Sequence, residues 1–371
     1  METSDLRAYF SALPKIDLHR HLEGTIRLET LLEIAEQYNI ALPDRTAEGL
    51  RGYVQVTPTD ANDALHFLKK FGVLRRFFCA PEVIQRVARE AVIDAARDNV
   101  KYLELRFTPR ALAKLMDFTY YEVTQWVCEG VAQAQRDYDI RVGLIVSINR
   151  HESVADGDRQ MRAAVDHKWH GVVGFDLCGR EADYPADPFY EIFRQARQSG
   201  LGITVHAGEW VGPRNVRDAI ERIGAHRIGH GVRIIEDNRI TQMALDNHIT
   251  FEVCPTSNVQ SGVVHAMNQH PLRDMNYLGL RTTLNTDDPA ISNITLTDEL
   301  VNAVENLGMT TADVQRSLVR SAEAAFLLPS ERAILVARFA NVENTTADIL
   351  SIETERTLKG ESRTKANVPN R

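Results

Sequence analysis

The chain has 371 residues, of which 44% are hydrophobic and 25% are charged, as in ordinary globular proteins. This length suits one large α/β barrel or two average domains. Asp and Glu outnumber Lys and Arg by 51 to 43, giving a formal net charge of −8, which argues against nucleic acid or an anionic membrane as a partner.

Residues 1–10 contain two acidic residues and no apolar run, so we expect no signal peptide there. No stretch of the sequence is apolar over enough residues to cross a bilayer. The four cysteines are widely spaced, and we expect them to be buried thiols rather than disulfides or metal ligands. These features together predict a cytoplasmic protein.

Eight short runs rich in Val, Ile, Leu and Phe are predicted to be strands. In chain order they are 16–21, 102–107, 142–148, 172–177, 203–206, 227–230, 249–253 and 281–286. Helical patterns lie between several of them, at 81–98, 121–138 and 188–200. Eight strands alternating with helices predict an α/β fold in which a parallel sheet closes into a (β/α)₈ TIM-type barrel.

About 80 residues separate the first two predicted strands, which is too long for one crossover helix. We predict a helical insertion there, with helices at 27–39 and 60–78. The second helix carries apolar residues that favour a role in the core, with a lid over the barrel mouth as the alternative: Phe67, Leu68, Phe71, Leu74 and Phe77. One barrel domain is expected at 1–343, followed by a polar, partly disordered tail at 344–371.

Two histidines mark the first predicted strand. His19 and His21 lie two residues apart, so their side chains point to the same side of the strand. Alternation places Asp17 on that side as well. Polar side chains buried together need a partner, because burying them unpaired is costly. A metal ion would be such a partner.

Further polar residues stand where later strands end. His206 ends the fifth predicted strand and is followed by Glu209, and His230 ends the sixth. Asp287 and Asp288 come at the end of the eighth. Barrel enzymes work at the carboxyl ends of their strands, so we expect these side chains to converge at one mouth.

The convergent residues predict one hydrolytic metal site. Three imidazoles and a carboxylate suit zinc and leave a position open for water, and they come from His19, His21, His206 and Asp287. Zinc lowers the pKa of a bound water to about 7, and Glu209, His230 and Asp288 remain beside it to move protons. The fourth strand has no lysine to bridge a second metal, so one metal is favoured over two. Surface roles are expected for His66, His151, His167, His170, His226, His248, His265 and His270.

The sequence resembles the adenosine deaminase family of metal-dependent amidohydrolases, and its bacterial members most closely. The matching segments arrive in family order over about residues 10–330 and read DLHRHLEG (17–24), ELRFTP (104–109), DLCG (176–179), HAGE (206–209), RIGHG (227–231), CPTSN (254–258) and NTDDP (285–289). The resemblance implies hydrolysis of adenosine and 2′-deoxyadenosine to inosine, or 2′-deoxyinosine, and ammonia. It also implies one Zn²⁺ per chain, held by His19, His21, His206 and Asp287.

The same resemblance implies roles around a small purine nucleoside. Glu209 would protonate purine N1, and His230 would activate or orient the attacking water. Asp288 would contact the water and N7, while Gly179 would offer its backbone N–H to N3. His21 would lie beside the substrate as well as the metal.

One position departs from the family pattern. Glu23 stands where members acting on adenosine usually have Asp near the ribose 5′-hydroxyl, and adenine deaminases of the family often read His-Leu-Glu-Gly. Those enzymes usually carry Asp before the sixth-strand histidine, where this chain has Gly229. We therefore expect adenosine, with adenine or a modified adenine nucleoside as the alternative and a catalytically silent binding or signalling barrel as the non-enzymatic one. A phosphorylated substrate is disfavoured because Glu23 would repel it.

Overall fold

The computed structural model describes residues 3–340. Within them, eight parallel strands form one sheet in which each strand pairs with the next along the chain. The strands are β1 Lys15–His21, β2 Val100–Phe107, β3 Arg141–Asn149, β4 Val172–Cys178, β5 Gly202–Ala207, β6 Arg227–His230, β7 Thr250–Val253 and β8 Arg281–Leu284.

Helices alternate with these strands. Those up to β4 are α1 Thr3–Ala12, α2 Leu28–Gln37, α3 Ala47–Val54, α4 Ala64–Leu74, α5 Pro81–Arg97, α6 Pro109–Ala113, α7 Tyr120–Asp137 and α8 Val154–Asp166. Those after β4 are α9 Tyr190–Gln198, α10 Pro213–Asp218, α11 Asn238–Asp246, α12 Pro255–Gln260, α13 Leu272–Tyr277, α14 Pro289–Ser292, α15 Leu296–Glu305, α16 Thr311–Ala324 and α17 Pro329–Ala340.

The ends of the sheet meet through the backbone of Asp287, just after β8. The His21 N–H donates to the Asp287 carbonyl at 2.7 Å, and the Asp287 N–H donates to the His19 carbonyl at 2.8 Å. These bonds bring β1 and β8 together, and they also hold Asp287 directly beside the two histidines. The predicted (β/α)₈ barrel is confirmed, and its closure builds part of the candidate site.

The predicted strands all occur, and the helix boundaries differ by a few residues for local reasons. The prediction at 60–78 begins too early, because the Asp63 side chain caps α4 by accepting the His66 backbone N–H. The prediction at 121–138 becomes α7, where Thr119 and Glu122 form a capping box that fixes the start. Capping side chains set these boundaries more sharply than hydrophobic spacing does.

The segment between β1 and β2 is helical, and α4 serves two purposes. Phe67 and Leu74 are buried, as a core role requires, whereas Leu68 is 37% exposed. Phe67, Leu68 and Phe71 also line the cavity at the barrel mouth. The apolar face of α4 therefore packs on the barrel and forms a wall of the cavity.

All four cysteines are free thiols. Cys128, Cys178 and Cys254 are buried as predicted, whereas Cys79 is only partly buried. Within residues 3–340, no helix combines the length and apolar character needed to cross a membrane. The predicted domain boundary at 343 and the tail at 344–371 lie outside the described residues.

A buried carboxyl in α15 makes the stability of the fold depend on pH. Burial raises the pKa of Glu299 from its ordinary 4.5 to about 7, although its Oε1 accepts the Thr256 N–H at 2.9 Å. Between these pH values the folded chain holds a proton that the unfolded chain releases, so stability falls as pH rises through that window, by roughly 3 kcal/mol for this group.

Glu299→Gln should therefore gain stability relative to the wild type as the pH is raised from 4.5 to 7. Urea unfolding at a series of pH values measures the difference. Stability curves that run parallel for the two proteins would show that Glu299 ionises normally.

Candidate active site

The carboxyl ends of the strands surround a cavity of about 210 Å³. Of the nine residues predicted to form the site, eight line it: His21, Glu23, Gly179, His206, Glu209, His230, Asp287 and Asp288. The ninth, His19, is fully buried and packs against His21, His206 and His230. The structure thus brings the whole predicted set together.

Four side-chain atoms converge at the base of this cavity. Asp287 Oδ1 lies 3.3 Å from His19 Nε2 and 3.4 Å from His21 Nε2, and His21 Nε2 lies 3.3 Å from His206 Nε2. Zinc bonds of about 2.0–2.1 Å at tetrahedral angles separate neighbouring ligand atoms by about 3.3–3.4 Å. The four atoms therefore fit around one small cation.

The opposite ring nitrogens of two histidines are held by carboxylates. His19 Nδ1 lies 2.8 Å from Glu252 Oε2, and His206 Nδ1 lies 3.1 Å from Asp176 Oδ1. An imidazole whose Nδ1 donates to a carboxylate presents a lone pair at Nε2, as metal-binding histidines do. His19 Nε2 is buried and makes no hydrogen bond within the described part of the chain, which is the state expected of a metal ligand.

Two other groups of side chains come close enough to hold a metal, namely His19 with His206 and His230, and His19 with Cys254 and Asp287. Burial raises the pKa of the Cys254 thiol well above its usual range, which disfavours the thiolate needed for ligation. His230 Nε2 is 3.9 Å from Asp287 Oδ2, farther than the three contacts above. The set of three imidazoles and Asp287 gives the better fit.

Two residues at this site adopt left-handed backbone conformations that are unusual outside glycine. The φ angle is +59° at His230 and +60° at Asp287. Such conformations cost about 1–3 kcal/mol and concentrate at functional sites. The Asp287 side chain is held as well, because Ser257 Oγ donates to its Oδ2 at 2.6 Å. The surrounding structure therefore fixes both the backbone and the carboxylate of Asp287.

The loop after β5 places Glu209 at the cavity, and Glu181 holds that loop. The Glu181 carboxylate accepts the backbone N–H groups of residues 208, 209, 210 and 211 at 2.6–3.1 Å. Burial raises the pKa of Glu209 well above its usual value, and the negative charge of Asp287 adds to the effect. The cavity therefore favours the protonated form of Glu209 more than solvent would.

Glu23 and Asp288 also line the cavity. Each has one carboxyl oxygen without a hydrogen-bond partner among the described residues, Oε2 in Glu23 and Oδ1 in Asp288. Glu23 Oε1 accepts the Thr108 N–H at 2.9 Å. Burial raises the pKa of both carboxyls, and for Asp288 the neighbouring charge of Asp287 raises it further. Each offers an uncommitted oxygen to a molecule in the cavity.

Comparison with known proteins assigns the family. Residues 14–342 match the adenosine deaminase family. The adenosine deaminase of Klebsiella pneumoniae (strain 342) is 38% identical over 330 residues, spanning 89% of this chain and 98% of that protein. The chain belongs to the adenosine deaminase family. It is accordingly a hydrolytic deaminase of the metal-dependent amidohydrolase type.

Solved structures share the fold and the class of chemistry. A zinc-bound amidohydrolase from Burkholderia ambifaria is 26% identical, with a TM-score of 0.85 over 93% of this chain and 94% of that one. The N6-methyl-AMP deaminase of Arabidopsis thaliana is 25% identical, with a TM-score of 0.79 over 90% of this chain and 98% of that one. This member of the adenosine deaminase family therefore resembles enzymes with different substrates.

Sequence reasoning misjudged several polar residues of this adenosine deaminase family member. His167 and His270 were predicted to lie at the surface and are buried, whereas His151 is exposed as predicted and also lines the cavity. Asp17 was predicted to face the same side as His19, but its carboxylate binds Arg20 and Thr286. The pairing of β1 with β2 shifts register between Asp17 and Arg20, and Asp17 does not line the cavity.

Proposed function

We propose that this protein hydrolyses adenosine and 2′-deoxyadenosine to inosine, or 2′-deoxyinosine, and ammonia, using one zinc ion per chain held by His19, His21, His206 and Asp287. The observation that carries the proposal is the convergence of four ligand atoms at zinc-like spacing beneath a cavity lined by proton-transfer groups. A zinc ion in that position would supply the Lewis acidity that lets water attack at neutral pH.

The chain's own residues would carry the protons and orient the purine. Glu209 donates to purine N1, because burial raises its pKa and so favours the protonated carboxyl that a general acid needs. His230 and Asp288 contact the attacking water, and Asp288 also contacts N7. Gly179, whose φ of +90° places it in a backbone region that favours glycine, offers its N–H to purine N3. These preorganised groups stabilise charge as C6 becomes tetrahedral.

Glu23 would recognise the ribose. Its buried Oε2 has no partner in the described residues, while Oε1 is committed to the Thr108 backbone. A 5′-hydroxyl in hydrogen-bond reach would satisfy Oε2, and the energy of that remote contact would help to position the purine. The extra methylene relative to Asp leaves the same acceptor chemistry at this position.

5′-Deoxyadenosine should therefore react clearly more slowly than adenosine, and Glu23→Ala should remove most of that difference. Glu23→Asp should remain active on adenosine, because it keeps a carboxylate facing the ribose. The measurement is kcat/KM for both nucleosides with the three proteins. Equal discrimination by the wild type and Glu23→Ala would remove Glu23 from the ribose site.

A second candidate is a free or modified adenine, suggested by Glu23 and by the similarity to an N6-methyl-AMP deaminase. Arg75 and Arg180 also line the cavity and would attract a phosphate, although Glu23 opposes it. The decisive experiment compares adenosine, 2′-deoxyadenosine, adenine, AMP and N6-methyl-AMP with zinc-loaded protein. Adenosine and 2′-deoxyadenosine should have the highest kcat/KM, and a clear preference for another substrate would replace the proposal.

The proposal includes a single barrel domain at 1–343 and a cytoplasmic location. The free thiols of all four cysteines support the location, because cytosolic proteins keep their thiols reduced.

A further inference from the structure

Three hydrogen bonds connect the backbone after His270 with the cavity. The Leu272 N–H donates to His270 Nδ1 at 3.1 Å. His270 Nε2 lies 3.2 Å from Asn258 Oδ1, and Asn258 Nδ2 lies 3.1 Å from His230 Nδ1. All three side chains are buried, so bulk water does not compete for these bonds.

The direction of every bond follows from the first donor. A backbone N–H can only donate, so His270 Nδ1 accepts and carries no proton. Burial lowers the pKa of His270 to about 3, so its ring is neutral and its one proton is on Nε2, from which it donates to Asn258 Oδ1. The Asn258 amide must then turn its NH₂ group towards His230, whose Nδ1 accepts.

We propose that Asn258 and His270 are positioning residues that hold His230 in the tautomer protonated at Nε2. That nitrogen points into the site, 3.8 Å from Glu209 Oε1 and 3.9 Å from Asp287 Oδ2. A protonated Nε2 has no lone pair for a metal. His230 therefore stands beside the zinc ligands without joining them, although distance alone would admit it.

This inference deepens the proposed function and rests on it for the reaction step alone. A neutral His230 protonated at Nε2 donates a hydrogen bond to the attacking water and does not take a proton from it. The water proton must therefore pass to a different acceptor while the water oxygen forms its bond to C6. Asp288, whose Oδ1 has no partner among the described residues, takes that role in its ionised form. His230 thus orients the water, and a different group acts as the base.

The tautomer can be measured without turnover. In ¹⁵N NMR of zinc-loaded protein labelled at histidine, His230 should show a protonated Nε2 and an unprotonated Nδ1, with its signals assigned by their loss in His230→Gln. A proton on Nδ1, or a zinc-bound Nε2, would overturn the proposal. Because no substrate is present, this result is independent of whether adenosine is the substrate.

Asn258→Asp tests the causal link, since the two side chains have the same shape. A carboxylate accepts on both sides, so His230 Nδ1 would have to carry the proton. In the ¹⁵N spectrum of this variant we expect His230 Nδ1 to be protonated and Nε2 to be unprotonated. We also expect kcat to fall by about 10²–10⁴-fold with zinc retained, because a catalytic histidine held in the wrong tautomer loses its function. A loss of kcat with an unchanged His230 spectrum would contradict the proposal, because it would indicate a merely structural role.

His270 provides the rescue experiment. His270→Phe removes the donor to Asn258 and should lower kcat, whereas His270→Gln supplies an amide N–H near the position of Nε2 and should recover most of the loss and the His230 spectrum. His167→Phe is the matched control, because His167 is also buried but lies outside the cavity. Equal kcat for His270→Phe and His270→Gln would show that His270 does not act through its hydrogen bond to Asn258.

Discussion

Replacing His206 by Ala should abolish both bound metal and deaminase activity. The imidazole supplies one of the four atoms that converge at the base of the cavity, and its Nε2 lies 3.3 Å from that of His21. Removing one ligand leaves a site that no longer satisfies the coordination of zinc. The same result is expected for His19→Ala, His21→Ala and Asp287→Ala.

Metal content by mass spectrometry and the rate of adenosine loss measure this effect together. His167→Ala is the matched control, because it removes another buried imidazole outside the cavity and should keep both the metal and the activity. A His206→Ala protein with full zinc and wild-type turnover would exclude His206 from the ligand set.

Glu209→Gln should lower kcat by about 10²–10⁴-fold, the usual contribution of general acid–base catalysis, with the metal retained. Glutamine keeps the size and polarity of the side chain but cannot donate the acidic proton. Because the variant removes proton donation rather than binding, the loss should appear in kcat more than in KM. Glu221→Gln, a surface substitution on a half-exposed side chain, serves as the control. A Glu209→Gln enzyme within a few-fold of the wild type would assign the acid to another group.

The barrel was predictable because its signals are local. The strands of the barrel are covered by helices on the outside and by packed side chains on the inside. Each strand therefore has a short apolar sequence, and all eight strands were predicted. Helix boundaries were less certain, as α4 shows, since they depend on which side chain caps the first turn. The Asp63 cap sets that boundary, and the hydrophobic spacing alone did not reveal it.

The candidate site was predictable where side chains sit at strand ends, because the fold itself brings those ends together. The supporting carboxylates Asp176, Glu181 and Glu252 were missed as partners. Glu252 did leave a signal, since it is an acidic residue inside the apolar strand β7, where burial demands a partner. Asn258 belongs to the CPTSN segment, but its contact with His270 left no signal, because that contact depends on how α12 packs against the turn before α13.

The most direct test of the account measures adenosine turnover by the purified protein in three states: as loaded with zinc, after exhaustive chelation, and after zinc is restored. We expect inosine and ammonia in equal amounts from the loaded protein, with one zinc per chain, no turnover after chelation, and recovery when zinc is returned. Undiminished deamination of adenosine by the metal-free protein would contradict the central claim, as would a zinc-loaded protein that leaves adenosine unchanged.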